Sequence, residues 1–353
     1  MIKNKIKKIA ENIPLSFYMK IIHRDVVGLS YHIVSYETLP HITHLYAFKT
    51  PEMFENDLIY LKNNFNLISY EQLEKFYNGS EKLKPRSLLL SFDDGFIECY
   101  SIVRPLLMKY YIPSIFFITT NFIDNQDMSS DLKASLCLEQ IIAQESRNLN
   151  KFITKLNATF NQNFTSLDAI KNWVQSIKVT QPNLIDRLCG VLGIDVEAFL
   201  SSHQPYLTTK MIKQMGIDGF TIGAHSLTHT NFNLLSNQEI AGDIIQSCQI
   251  IQSLTEQEHI PFAFPYSSEG MSGKFLNNVR ANNDNIGLFF GGDGVQKNNW
   301  PIINRKCGDS PVGTEKGSSN LVRLIKQAYI EELSRIIHNT KLFTTRSNSP
   351  RVK

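Results

Sequence analysis

Two pairs of residues in this sequence have the types and spacing of a hydrolytic metal site. His225 and His229 are four residues apart, and on a helical turn this spacing places both imidazoles on one side. Asp93 and Asp94 are adjacent and directly follow an apolar run, so their carboxylates would point to different sides. Two imidazoles and one carboxylate, with a position left for water, are a common catalytic zinc arrangement. The other carboxylate would then accept the proton of the activated water.

Each pair also has an ordinary explanation when it is taken alone. With nine histidines in 353 residues, about 0.2 pairs at this spacing are expected by chance. Asp-Asp-Gly is a common turn sequence. Both features nevertheless follow strand-like runs, and this shared placement favours a functional interpretation for the two together.

Strand-like and helix-like segments alternate along most of the chain. Strands are predicted at 26–34, 87–92, 113–119, 219–223, 260–264, 286–290 and 301–304, and helices at 51–64, 101–110, 209–215 and 236–254. This alternation argues for parallel βα units. In a parallel barrel the loops after the strands all open on one face, so polar residues that follow different strands would meet there.

The chain divides into three predicted parts. Residues 1–25 form a basic N-terminal segment, 26–344 the α/β domain and 345–353 a disordered tail. Within the domain, residues from about 129 to 205 are helix-like with few strand signals, and we interpret them as a helical insertion that is not a catalytic element.

Composition excludes several classes of protein. The 36 basic and 33 acidic residues are mixed along the chain, which gives no basic face for nucleic acid. The five cysteines contain no CxxC pair, and neither a secretion signal nor an apolar run long enough for a membrane span is evident. We therefore expect a cytoplasmic protein. Residues 1–12 would permit peripheral membrane contact as a basic amphipathic helix, although a solvated terminal helix is the favoured interpretation.

Three motifs carry a resemblance to a known family. SFDDG at 91–95, GAHSLTHTNFNLLS at 223–236 and FAFPY at 262–266 resemble, in order, the motifs of the polysaccharide deacetylase family, carbohydrate esterase family 4, also called the NodB homology family. The resemblance covers roughly two-thirds of the chain. It implies a distorted parallel (β/α) barrel of about seven strands that carries the helical insertion. It also implies metal-dependent removal of acetyl groups from N-acetylglucosamine or related sugars.

Carried over position by position, the resemblance assigns a role to five residues. Asp93 becomes the general base, Asp94, His225 and His229 the metal ligands, and the Tyr266 N–H an oxyanion donor. The implied cofactor is one divalent ion, with zinc preferred over cobalt, nickel or manganese. The implied partner is an acetylated sugar or glycan precursor.

The sequence departs from the family pattern in two places. The family often has an arginine where this chain has Ala263, and no late Leu-x-His motif supplies a catalytic acid. Arg305 is a candidate to pair with Asp93 instead, although a surface arginine at a strand end explains it equally well. His32 and Pro265 are candidate substrate-binding residues, and for His32 a core position is the more ordinary explanation.

The predicted function is therefore a metal-dependent hydrolase that removes acetyl groups from an N- or O-acetylated sugar or glycan precursor in surface-polysaccharide metabolism. One alternative is a catalytically impaired, glycan-binding relative, because of the two departures. A second is a metal-dependent hydrolase of a non-sugar amide, since fold does not determine substrate. A serine or cysteine nucleophile has no support, because the chain contains no GxSxG motif.

Overall fold

Seven parallel strands close into a barrel in the computed structural model, which describes residues 12–143, 149–297, 300–310 and 320–347. The strands are β1 (Val26–Tyr31), β2 (Asn66–Leu67), β3 (Ser87–Phe92), β4 (Ser114–Ile118), β5 (Thr221–Ala224), β6 (Ile260–Ala263), β7 (Ile286–Gly291) and β8 (Ile302–Cys307). Around the barrel the order is β1, β3, β4, β5, β6, β7, β8, and β8 pairs with β1 again. The two-residue β2 lies outside this ring and pairs with the start of β3. The predicted parallel barrel of about seven strands is confirmed.

Helices surround the barrel and connect its strands. They are α1 (Leu15–Ile21), α2 (Pro51–Asn64), α3 (Tyr70–Tyr77), α4 (Arg104–Tyr110), α5 (Ser130–Ala143), α6 (Leu149–Phe160), α7 (Leu167–Ile177), α8 (Pro182–Leu192), α9 (Val196–His203), α10 (Thr209–Ile217), α11 (Asn237–Thr255), α12 (Gly273–Ala281) and α13 (Asn320–Ser347). Local sequence explains where several begin. The Thr50 hydroxyl accepts from the Met53 N–H at the start of α2, and Ser236 and Glu239 form a capping box on α11.

Alternate residues of the strands face the barrel interior and the surrounding helices. The interior holds a small apolar cluster that includes Leu89, Phe117, Ala263, Phe290 and Ile303. Residues of opposite parity, such as those at the outer face of β1 and β3, pack in the larger cluster formed with the helices. The charged side chains of Asp93 and Arg305 lie near the carboxyl ends of the strands, beyond this apolar cluster.

Five helices, α5 to α9, lie in the segment that we interpreted as an insertion. Helices α5 to α8 share an apolar cluster of their own, whose members include Leu138, Ile141, Leu156, Ile170, Val174, Ile185 and Leu188. The buried Leu200 of α9 belongs to another cluster, with Ile33, Ile42 and Phe96. The cluster of α5 to α8 gives the segment a core separate from that of the barrel. Its N-terminal helix α5 nevertheless follows β4 closely and approaches the strand ends.

The two ends of the chain are described in part. The expected amphipathic segment lies outside the described residues except for its last position, Asn12. Helix α13 continues through Ser347, so the first three residues of the expected tail are helical, and 348–353 lie outside the described residues. Among the described helices, none is long and apolar enough to cross a membrane.

Candidate active site

Asp94, His225 and His229 converge at the carboxyl end of the barrel. The Nε2 atoms of His225 and His229 lie 3.4 and 3.2 Å from Asp94 Oδ1. These contacts are poorly directed for hydrogen bonding, and Asp94 Oδ1 is buried without a hydrogen-bond partner. Such an oxygen is costly to bury unless a cation or donor occupies the space beside it. The three side chains therefore fit a divalent metal ion.

A hydrogen bond to the backbone fixes the orientation of the His225 ring. His225 Nδ1 lies 2.8 Å from the carbonyl oxygen of Ala263, so Nδ1 carries the proton and donates it to that carbonyl. The lone pair of the neutral ring is then on Nε2, the nitrogen that faces Asp94. Burial would raise the pKa of the Asp94 carboxyl, but the nearby imidazoles outweigh this effect and hold that pKa well below its usual range.

The two histidines are brought together by a bent loop and not by a helical turn, so our helical interpretation of their spacing is wrong. His225 still donates its N–H to Ile118 O at 2.9 Å, directly after β5. The backbone then bends at Ser226 and His229, whose φ values are +68° and +55°. Ser226 Oγ accepts the His229 N–H at 2.8 Å, and Asp243 of α11 accepts the Leu227 N–H at 3.1 Å.

Asp93 is held by Arg305 in a two-point ion pair. Arg305 Nη1 and Nη2 donate to Asp93 Oδ1 and Oδ2 at 2.6 and 3.0 Å, and Nη1 also donates to Ser91 Oγ at 2.9 Å. Arg305 is only 2% exposed, so its interpretation as a surface arginine is wrong. Burial would raise the pKa of the Asp93 carboxyl, but the Arg305 charge, followed by those of His225 and His32, lowers it. Asp93 is therefore ionised at neutral pH.

The barrel interior has space for Arg305 because its neighbour on β1 is a glycine. Gly28 pairs with Arg305 across β1 and β8, and a Cβ at this glycine would lie 2.6 Å from Arg305 Cγ and 2.5 Å from Asn304 O. The guanidinium packs over Phe117 at 4.9 Å. An arginine from β8 thus pairs with Asp93, although the chain has Ala263 where the family often has an arginine.

His32 and Asp309 form a second polar group beside Asp93. His32 Nδ1 lies 2.5 Å from Asp309 Oδ2, and the His32 backbone N–H donates to Asp309 Oδ1 at 3.0 Å. His32 Nε2 lies 4.0 Å from Asp93 Oδ2, so the ring belongs to the site and not to the apolar core. Burial would lower the pKa of His32, but Asp309 outweighs it and raises this pKa well above the usual value. Our sequence interpretation missed Asp309, although it follows β8 as Asp93 follows β3.

Tyr266 lines the candidate site, whereas Pro265 does not. The Tyr266 backbone has a φ of +60°, and within the described residues its N–H has no hydrogen-bond acceptor. The Tyr266 ring lies 4.8 Å from the His229 ring, which brings this residue against one of the three candidate metal ligands. Pro265 is buried and is not among the described residues that line the cavity, so the structure does not place it in contact with a substrate.

A cavity of about 450 Å³ opens above these residues. Its floor is formed by the carboxylates and imidazoles described above. Its walls come from two sides, from Leu45 and Tyr46 in the segment after β1 and from Asp131, Leu132 and Lys178 in the helical insertion. The insertion is therefore part of the site cavity, which we did not expect from its sequence.

Four residues of this site have a strained backbone. Asp94, Ser226, His229 and Tyr266 all have φ between +55° and +71°, a region that residues other than glycine enter rarely. Each such conformation costs on the order of 1–3 kcal/mol and persists only where the surroundings impose it. Its accumulation around one cluster of ligand-type side chains is typical of a functional site.

Comparisons with known proteins show which folds and which family this chain is similar to. The fold resembles the Streptococcus pyogenes deacetylase PplD in complex with acetate, at 14% identity and a TM-score of 0.52, over 85% of this chain and 97% of that one. It also resembles IcaB from Ammonifex degensii, at 16% identity and a TM-score of 0.50, over 86% of this chain and 97% of that one. No curated protein matches the sequence. The model of the family described as "Polysaccharide deacetylase" matches residues 80–287, more than half of the chain. The chain therefore belongs to the polysaccharide deacetylase family.

Proposed function

We propose that this protein is a metal-dependent hydrolase that removes acetyl groups from an acetylated sugar or glycan precursor. The observation that carries the proposal is the convergence of Asp94, His225 and His229 beside an ionised Asp93 that Arg305 holds in place. Membership of the polysaccharide deacetylase family supports the acetylated glycan as the substrate class. The acetate in the PplD complex is the product that such a reaction would release.

The three proposed ligands offer two imidazole nitrogens and one carboxylate oxygen. This donor set suits zinc, and cobalt, nickel or manganese are alternatives. A bound divalent ion supplies Lewis acidity, which lowers the pKa of water and polarises the acetyl carbonyl. His225 is oriented for ligation through its Nδ1–H, and Asp94 is ionised by its surroundings.

Asp93 and His32 carry out the two proton transfers of the reaction, and the Tyr266 backbone supplies a hydrogen bond. Asp93 accepts the proton of the attacking water, and its pairing with Arg305 fixes the direction of the carboxylate. The Tyr266 N–H donates to the oxygen of the acetyl group as negative charge develops there. His32, kept protonated by Asp309, donates from Nε2 to the leaving nitrogen or oxygen of the sugar. Base and acid thus stand side by side, 4.0 Å apart.

The observations that favoured a non-catalytic protein were two absences in the sequence. Arg305 now occupies the place of the missing arginine at Asp93, and His32 is a candidate for the missing acid. With both side-chain types present at the site, these absences no longer favour a binding protein over an enzyme.

Acetate release from N-acetylated and O-acetylated sugars tests the proposal. We expect turnover that a chelator abolishes and that added zinc restores. Asp93→Asn should lower kcat by about 10²- to 10⁴-fold while the metal content stays unchanged, because Asp93 accepts a proton and does not ligate. Asp284→Asn, at an exposed carboxylate before β7, is the matched control. Acetate release that is insensitive to chelator, or an Asp93→Asn variant with full turnover, would contradict the proposal.

A further inference from the structure

The helical insertion contributes a carboxylate to the cavity wall whose hydrogen bonding is incomplete. Asp131, in the first turn of α5, accepts the Tyr266 hydroxyl at Oδ2 at a distance of 2.8 Å. Its other oxygen, Oδ1, is buried without a hydrogen-bond partner. A buried carboxylate oxygen in this state loses its solvation without compensation, so a ligand that donates to it would recover that energy.

Lys178, at the end of α7, completes the polar part of this wall. It lines the same cavity as Asp131. Burial raises the pKa of the Asp131 carboxyl, and the charge of Lys178 is one of the effects that oppose this rise. A carboxylate accepts hydrogen bonds and an ammonium group donates them. The two groups together therefore suit a sugar, because each sugar hydroxyl can both donate and accept a hydrogen bond.

The reacting groups lie deep in this cavity. The side chains of Asp93 and His225 are 6% and 3% exposed, and that of Asp94 is 12% exposed. Tyr46 and Leu132 of the insertion line the same cavity. The cavity volume of about 450 Å³ is within the range of pockets for small molecules. Because Asp131, Leu132 and Lys178 of the insertion form part of the wall of this space, we expect a substrate to enter it with one end.

We infer that the insertion makes this site a pocket for the terminal acetylated sugar of a glycan, in which Asp131 Oδ1 accepts a hydrogen bond from a hydroxyl of that sugar. Lys178 donates to a neighbouring sugar oxygen. The inference rests on the proposed deacetylase function and narrows its substrate to a chain end or a single sugar. Asp131 is thus a specificity-determining residue, and the proton transfers remain with Asp93 and His32.

Mapping the deacetylated position in N-acetylated sugar oligomers tests the first part. Oligomers of N-acetylglucosamine are incubated with the full chain and zinc, and fragment masses locate the free amine. We expect acetyl loss from a terminal unit only. Loss from internal units at a comparable rate would overturn the inference and leave the deacetylase function standing. A protein that releases acetate from neither these oligomers nor an aryl acetate would instead contradict the proposed function.

Asp131→Asn tests the second part. We expect kcat/KM for the N-acetylated sugar to fall at least about tenfold more than kcat/KM for an aryl acetate, which has no sugar hydroxyls. Asp168→Asn removes an equal charge from α7 of the same insertion, where the side chain is 87% exposed, and serves as the control. Equal losses on the two substrates would overturn the assignment of Asp131.

Tyr266→Phe separates substrate recognition from positioning. This variant keeps the Tyr266 N–H but removes the hydroxyl that Asp131 accepts. If Asp131 recognises the sugar, the sugar-specific loss should be clearly smaller in Tyr266→Phe than in Asp131→Asn. If the two variants lose sugar turnover equally, Asp131 acts through Tyr266 and the inference is overturned.

Discussion

Two groups of three ligand-type side chains lie side by side at the mouth of the barrel, and they differ in how their atoms are engaged. In each group the nitrogen, sulfur or oxygen atoms lie within 4.8 Å of one another. In Asp94, His225 and His229 the contacts leave Asp94 Oδ1 without a hydrogen bond. In His32, Cys307 and Asp309 both carboxylate oxygens have donors, from the His32 ring and backbone and from the Cys307 thiol.

The comparison shows that residue type alone does not identify a metal site. A ligand set has atoms that point at a common centre and lack other partners, whereas a proton-transfer pair has its carboxylate already occupied by the imidazole. Because the Asp309 oxygens are occupied, we assign the second group to proton transfer. The first group is then the proposed metal site.

The largest effect is expected from His225→Ala. Removal of this ligand should abolish stoichiometric zinc binding and lower turnover by at least about a thousandfold, because the Lewis acid contributes several kcal/mol to the reaction. The matched variant in the other group, His32→Ala, should keep one zinc ion per chain. Metal analysis of the purified proteins decides the question. If His32→Ala also lost the ion, the two groups would form one metal site.

Asp309→Asn should have an intermediate effect. Asp309 raises the pKa of His32, so the variant should have a lower His32 pKa and less of the protonated acid at neutral pH. The basic limb of the kcat–pH profile should therefore move to lower pH, and kcat at pH 8 should fall by about 10- to 100-fold. Zinc content should stay at one ion per chain. An unshifted basic limb would show that His32 is not the acid.

The smallest effect is expected at Asp243, which supports the loop that carries His225 and His229. Asp243 accepts the Leu227 N–H between the two histidines, and burial raises the pKa of its carboxyl to about 7. This folded-state pKa lies above the unfolded value, so the stability that the protonated carboxyl contributes is present at low pH and lost as the pH rises through about 7.

Asp243→Asn removes this titration. Between pH 5 and pH 8 the free energy of unfolding of the wild type should therefore fall by about 1–3 kcal/mol relative to that of the variant. Urea denaturation of both proteins across this range measures the difference. If the free energies of unfolding of the two proteins changed in parallel with pH, Asp243 would not titrate between pH 5 and pH 8. The loop from His225 to His229 would then not depend on the protonation of Asp243.

Several elements could be predicted from local sequence because local interactions determine them. Helix α2 has the bounds that its Thr50-Pro51 start predicts, and strand β3 coincides with its apolar run. Helices α3 and α12, of 8 and 9 residues, were not predicted. The loop from His225 to His229 was misread as helical, since its spacing is the same and the left-handed bends at Ser226 and His229 have no glycine to mark them.

The sequence by itself determined the alternation that makes a parallel barrel and the strand-end placement of Asp93, Asp94 and His225. These depend on apolar periodicity and on residues that are neighbours in the chain. For Arg305 the sequence left two explanations, and tertiary structure decided for its pairing with Asp93, 212 positions away. Tertiary structure alone showed that Asp309 holds His32. It also decided that Asp131 of the insertion enters the cavity. Barrel closure and helix docking set these contacts, and neither leaves a periodic signal in the chain because side chains distant in sequence meet only after the strands have closed.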